Sequence, residues 1–148
     1  MAAKAFVHSA FFQEPAGCFA LGQVLMSPSM DVDLDQYDGA DDVGSWQCDL
    51  TNHDALTWSD KVYEIFGLPL GSQVEREDAV AKYREHSRGV LERLRSYAIH
   101  RKCGFMLDAA INSLGDTRWV RILAAPVIDN GRVIGLRGLK RVIKPENR

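Results

Sequence analysis

The tripeptide Asp129-Asn130-Gly131 constrains the fold most. Asn-Gly adopts positive φ at little cost, so it closes a tight hairpin between two extended runs. Val133 to Val142 reads as the strand after it. Trp119 to Ala125 reads as the strand before it, with Pro126 as its limit. Upstream, Phe105, Leu107, Ala109 and Ile111 alternate with period two and form a further strand, joined through a Gly-Asp turn within Asn112 to Thr117. Three such strands must bury an apolar face, so the rest of the chain has to supply a cover.

Helical segments before these strands provide it. Ser59 is an N-cap candidate, followed by Val62, Ile65 and Phe66 at helical spacing, with Gly67 and Pro69 as the stop. Glu75 to Glu85 reads as short helical turns. Ser87 then caps a longer helix to about Ile99, whose apolar face is Val90, Leu91, Leu94 and Ala98. Earlier still, Ser45 to Leu50 and Ala55 to Trp58 form a hairpin across Thr51-Asn52-His53-Asp54. The order is two strands, helices, then three strands. It predicts an α+β domain with one five-stranded antiparallel sheet and the helices on one face.

Residues 1–30 read as an N-terminal helical extension and interaction segment. Phe6, Ala10 and Phe11 share a helical face, Pro15 to Gly17 interrupts it, and Leu21, Val24 and Leu25 resume the spacing before Pro28. Residues 31–43 are an acidic linker. Asp31, Asp33 and Asp35 do not make a calcium loop, since Gln36 stands where glycine is needed and no glutamate closes it. The domain proper spans 44–143, and 144–148 is a tail.

Bulk properties exclude several classes. Among the 148 residues, 46% are hydrophobic and 26% charged, as in an ordinary globular chain. Three cysteines without a CxxC pair point to a reducing cytoplasm and away from structural zinc. No apolar run approaches the ~20 residues of a membrane span, and the N-terminus is a poor signal peptide. Residues 1–60 carry one base against ten acids, whereas residues 61–148 carry 17 bases against ten acids. Such asymmetry favours oriented contact within or between molecules. It does not by itself imply nucleic acid, because the basic half is itself rich in acids.

Short motifs add a resemblance. Gly44-Ser45-Trp46-Gln47-Cys48-Asp49-Leu50, then Trp58-Ser59, Tyr63-Glu64-Ile65-Phe66-Gly67-Leu68-Pro69, Gly115-Asp116-Thr117-Arg118-Trp119-Val120, and Asp129 to Gly135 with Gly138 occur in that order. Together they resemble the PAS domain, in its tryptophan-rich subclass. Two departures accompany the match. Tyr83-Arg84-Glu85-His86 stands where many relatives have His-Pro-x-Asp, and Val142-Ile143-Lys144 where many have Asp-Ile-Thr. The resemblance implies a bacterial-type signalling or scaffold protein that acts by protein–protein contact, with a partner such as a sensor histidine kinase. With no output segment in the chain, the signal is expected to pass through another molecule. The alternative is a small-molecule sensor with a ligand between sheet and helices.

Site expectations follow. A ligand cavity would be lined by Val62, Phe66, Val90, Leu94, Leu107 and Ala109. Phe6, Phe11, Phe12, Leu21, Val24 and Leu25 need a partner surface and are expected to form a homodimer seam. Trp46, Trp58 and Trp119 are expected in the core. No cofactor or metal is expected: the long helix has no interior histidine for haem, and no cysteine has the setting of a photoactive flavin domain. His86, and His100 with Cys103, are expected to face solvent rather than bind metal. Neither a catalytic triad nor a phosphate loop stands out, so the chain is expected not to be an enzyme.

Overall fold

The computed structural model describes residues 2–25, 34 and 42–145. Ten elements follow in order: α1 (Ala2–Phe12), β1 (Gln23–Leu25), β2 (Gly44–Asp49), β3 (Ala55–Trp58), α2 (Asp60–Phe66), α3 (Arg76–Ala81), α4 (Glu85–Arg101), β4 (Gly104–Ser113), β5 (Asp116–Asp129) and β6 (Arg132–Ile143). The strands pair antiparallel in one sheet of order β1-β4-β5-β6-β2-β3. The expected α+β sheet is present, with six strands instead of five. Most of the acidic linker expected at 31–43 lies outside the described residues.

The extra strand comes from the segment read as helical. Gly22, at φ 80°, turns the chain, and Gln23–Leu25 pairs with Gly104–Met106 along the edge of β4. Period two then replaces helical spacing: Val24 packs into the core on one face and Leu25 into the core on the other. The rest of the β4 edge is also occupied. The Asp108 amide donates to the Phe19 carbonyl, and Lys82 and Arg84 exchange backbone hydrogen bonds with Asn112 and Ala110. An edge strand covered along its length offers no template for another chain.

Two other boundaries differ for local reasons. β5 runs through Pro126, because β4 has ended at Gly104 and the missing N–H removes no ladder bond there. α4 begins at Glu85, which leaves Ser87 inside the helix; its hydroxyl accepts from the Ala110 amide at 2.9 Å. The expected Asn-Gly hairpin is present, with Asn130 at φ 50° and Gly131 at φ 75°. In the preceding turn the left-handed residues are Leu114 and Gly115 rather than the Gly-Asp pair.

Two apolar layers sandwich the sheet. One, under α2–α4, holds Val62, Ile65, Phe66, Tyr83, Val90, Phe105, Leu107, Ile111 and Ile122. The other, under α1, holds Val7, Ala10, Phe11, Phe19, Leu25, Met106, Leu123 and Leu139. The buried face of α1 therefore runs through Val7, Ala10 and Phe11, and Phe6 is exposed.

Candidate ligand cavity

Alternation along β6 sends Leu136, Gly138 and Lys140 towards the helices and Leu139, Arg141 and Ile143 towards α1. A lysine thus stands inside the main core, 8% exposed. Four rings surround its Nζ: Phe66 at 4.8 Å, Trp46 at 5.3 Å, Tyr83 at 5.7 Å and Trp58 at 5.9 Å, measured to ring centroids. The Nζ also donates to the Tyr83 hydroxyl at 3.1 Å. Ring faces attract an ammonium group, and the attraction grows when water is excluded.

Local sequence builds this cage. Trp46 and Trp58 are register partners on β2 and β3. Trp58 stacks on Phe66 at 4.8 Å, and Phe66 meets Tyr83 edge-on. Gly138 lies opposite Trp46 and makes the space: a Cβ there would sit 1.7 Å from the Leu123 carbonyl oxygen and 2.9 Å from the Trp46 ring. Gly138→Ala is therefore expected to destabilise the chain by about 3 kcal/mol, as overpacking does when backbone must move. Urea unfolding checks this.

Next to Lys140 is a cavity of about 70 Å³. Its apolar walls include Leu56, Val80, Leu91, Phe105, Ile122 and Leu136, and Cys48 and Tyr83 also border it. Arg76 and Arg95, each with a side chain 20% exposed, stand at its rim. Both are neutralised, Arg76 by Glu92 and Arg95 by Asp54 at 3.0 Å. Lys140 has no carboxylate in reach among the described residues. Burial pushes its pKa down from 10.5 to about 7. Burial likewise pushes the Tyr83 hydroxyl and the Cys48 thiol up, so both are neutral at pH 7.

The expected cavity residues are brought together in the same layer, but they form its packed part. Val62, Phe66, Leu107 and Ala109 are fully buried, Val90 nearly so, and Leu94 packs against the layer from its margin. None borders the cavity, although Phe66 faces Lys140. Trp119, expected in the core, is half-buried. His86 and His100 are exposed, but Cys103, expected to face solvent, is buried; Cys48 is buried too, and both thiols are free. No group of three potential metal ligands occurs among the described residues.

The opposite face of the sheet carries a polar latch. Arg121 and Asp108 form a fully buried ion pair, with bonds of 2.6 and 2.9 Å. Arg121 also donates to the carbonyls of Ala10, Gln13 and Pro15, and Asp108 accepts from the amides of Gly17 and Phe19. Arg141 donates to the Phe11 carbonyl and to Glu14. These cations meet the unsatisfied carbonyls at the C-terminal end of α1, where the helix dipole is negative. The base-poor and base-rich parts of the chain thus meet within the molecule, as in the Arg141–Glu14 and Arg95–Asp54 ion pairs. Of the expected seam residues, Phe11 and Leu25 are buried against the chain's own sheet, Phe12 and Val24 are partly buried, and Phe6 and Leu21 are exposed.

No family model matches the sequence, and no curated protein matches it. Solved structures do. The N-terminal domain of a diguanylate cyclase with PAS/PAC sensor from Marinobacter aquaeolei matches at 17% identity with a TM-score of 0.61, covering 68% of this chain and 94% of that one. A sensory box histidine kinase/response regulator from Burkholderia thailandensis matches at 13% identity and TM-score 0.58, covering 69% and 77%. The PAS domain of the fruit-fly ELK potassium channel matches at 14% identity and TM-score 0.57, covering 80% and 99%. An RNA-binding light-oxygen-voltage receptor matches at 13% identity and TM-score 0.59, covering 68% of this chain and only 29% of the receptor. The chain has the PAS domain fold. No helix among the described residues is long and apolar enough to cross a membrane.

Proposed function

We propose that this chain is a cytoplasmic sensory PAS module that responds to a small molecule in the Lys140 cavity and signals by protein–protein contact at its N-terminal segment. The partner class is a sensor histidine kinase or a comparable signalling protein, and the chain itself catalyses nothing. One observation carries the reading: consecutive residues of β6 serve the two faces. Lys140 faces the cavity, and Arg141 holds Phe11 and Glu14 of the N-terminal segment. A shift of β6 at the cavity is therefore felt directly at the latch.

Homodimerisation is part of the proposal, with the seam on the side of the segment that faces outward, at Phe6 and Leu21. Deleting residues 1–30 would uncover Met106, Leu123 and Leu139 and confuse the result, so the double substitution Phe6→Asp/Leu21→Asp is the cleaner test. Light scattering is expected to give twice the chain mass for the wild type and the single mass for the variant. Affinity capture from the protein's own cell extract is expected to recover a signalling protein with the wild type and lose it with the variant. A partner retained equally by both would contradict the placement of the contact.

A further inference from the structure

The cavity has a specific chemical asymmetry. Its walls are apolar, its rim arginines are already paired with Glu92 and Asp54, and Lys140 faces it with no carboxylate in reach among the described residues. Nζ has three N–H donors, of which one goes to Tyr83. Taking a charge into a core without a counter-ion is costly, and chains usually place an apolar residue there. An occupant that supplies one negative charge and a short apolar tail would fit both the amine and the walls. The cavity is small, about 70 Å³, so a small molecule suits it. A phosphate would bring two charges to a single unpaired cation and no apolar part for the walls.

We propose that the cavity takes a short-chain monocarboxylate, its carboxylate on Lys140 Nζ and its tail against Leu56, Phe105 and Leu136. This rests on the sensory reading above and specifies its ligand. The carboxylate would accept the free N–H donors of Lys140, a charge-assisted interaction stronger than a neutral hydrogen bond.

Titration calorimetry of the full chain with propionate and with its isosteric neutral amide, propionamide, tests the idea. The acid is expected to bind at least about tenfold more tightly than the amide at pH 7. The preference is expected to vanish in Lys140→Met, whose unchanged or higher melting temperature shows that it folds. A second readout is specific to the amine. Lys140 must be protonated to pair with the acid, and the groups that face it, Cys48 and Tyr83, are raised by burial and stay neutral; the other charged groups at the cavity are the ion pairs Arg76–Glu92 and Arg95–Asp54. Propionate binding at pH 8 is therefore expected to take up a proton, seen as a dependence of the heat on buffer ionisation, and its affinity to fall about tenfold per pH unit above neutrality. Equal binding of acid and amide, or an acid preference retained by Lys140→Met, would overturn the ligand class and leave the sensory reading standing. Binding of neither compound would overturn the ligand class too; the sensory reading would then stand or fall on the partner-capture experiment.

Discussion

Arg121→Leu is expected to destabilise the protein by about 3–5 kcal/mol, the range for breaking a buried ion pair by removing one partner. The substitution leaves Asp108 charged and enclosed, with only the amides of Gly17 and Phe19 to satisfy it. It also strips the donors from the carbonyls of Ala10, Gln13 and Pro15. Urea unfolding measures the loss. Amide exchange is expected to show it concentrated at residues 6–19, because the helices on the other face keep their own core. The double variant Arg121→Leu/Asp108→Leu is expected to recover much of the stability, since replacing both members by apolar groups removes the unpaired charge. A single variant as stable as the wild type would show that the latch does not hold the segment.

Lys140→Met works in the opposite direction, and its stabilisation, about 2–4 kcal/mol at pH 7, follows from removing an enclosed amine. Tyr83 limits the gain, because its hydroxyl loses the Nζ donor; Lys140→Met/Tyr83→Phe is expected to be the more stable of the two. The same amine sets a pH dependence. The unfolded chain holds a proton on Lys140 up to about 10.5, the folded chain only up to about 7. Between those values the unfolded state binds more protons, so wild-type stability rises with pH, by about 2 kcal/mol from pH 7 to 9. The thiols of Cys48 and Cys103 and the hydroxyl of Tyr83 are raised by burial and act against the rise at higher pH, where the unfolded state loses their protons first. Urea unfolding at pH 6, 7, 8 and 9 is expected to show the rise in the wild type and, in Lys140→Met, a profile that is flat to pH 8 and declines slightly towards pH 9 as the unfolded thiols ionise. A flat wild-type profile would mean that the ring faces fully offset the cost of burial.

Much of the fold was legible because its signals are local. Asn130-Gly131 demands positive φ, Ser59 and Gly67 bracket a short helix, and the alternation of Phe105, Leu107, Ala109 and Ile111 shows which side of β4 faces the helices. The extra strand was not legible, since Leu21, Val24 and Leu25 satisfy helical spacing and only the open edge of β4 selects the extended form. The cavity was legible in place but not in detail. Its bordering residues Arg76, Val80, Tyr83 and Leu91 come from α3, α4 and the turn between them, whose position over the sheet is tertiary. One signal was available: along Leu136, Gly138 and Lys140 a charged residue falls on the inward phase of a strand, where an apolar one is expected. The latch had a similar sign in Asp108 and Arg121, which sit opposite one another in mid-strand among apolar neighbours.

Coupling between the two faces of the sheet is tested most directly by amide exchange at Gly17 and Phe19, compared in the wild type and Lys140→Met. If β6 links cavity and latch, exchange at these two amides should change by a factor of roughly 2–30 relative to the amides of β4 and β5, the equivalent of 0.5–2 kcal/mol of coupling. A uniform change across the whole sheet, or none at Gly17 and Phe19, would show that the cavity and the N-terminal segment do not communicate.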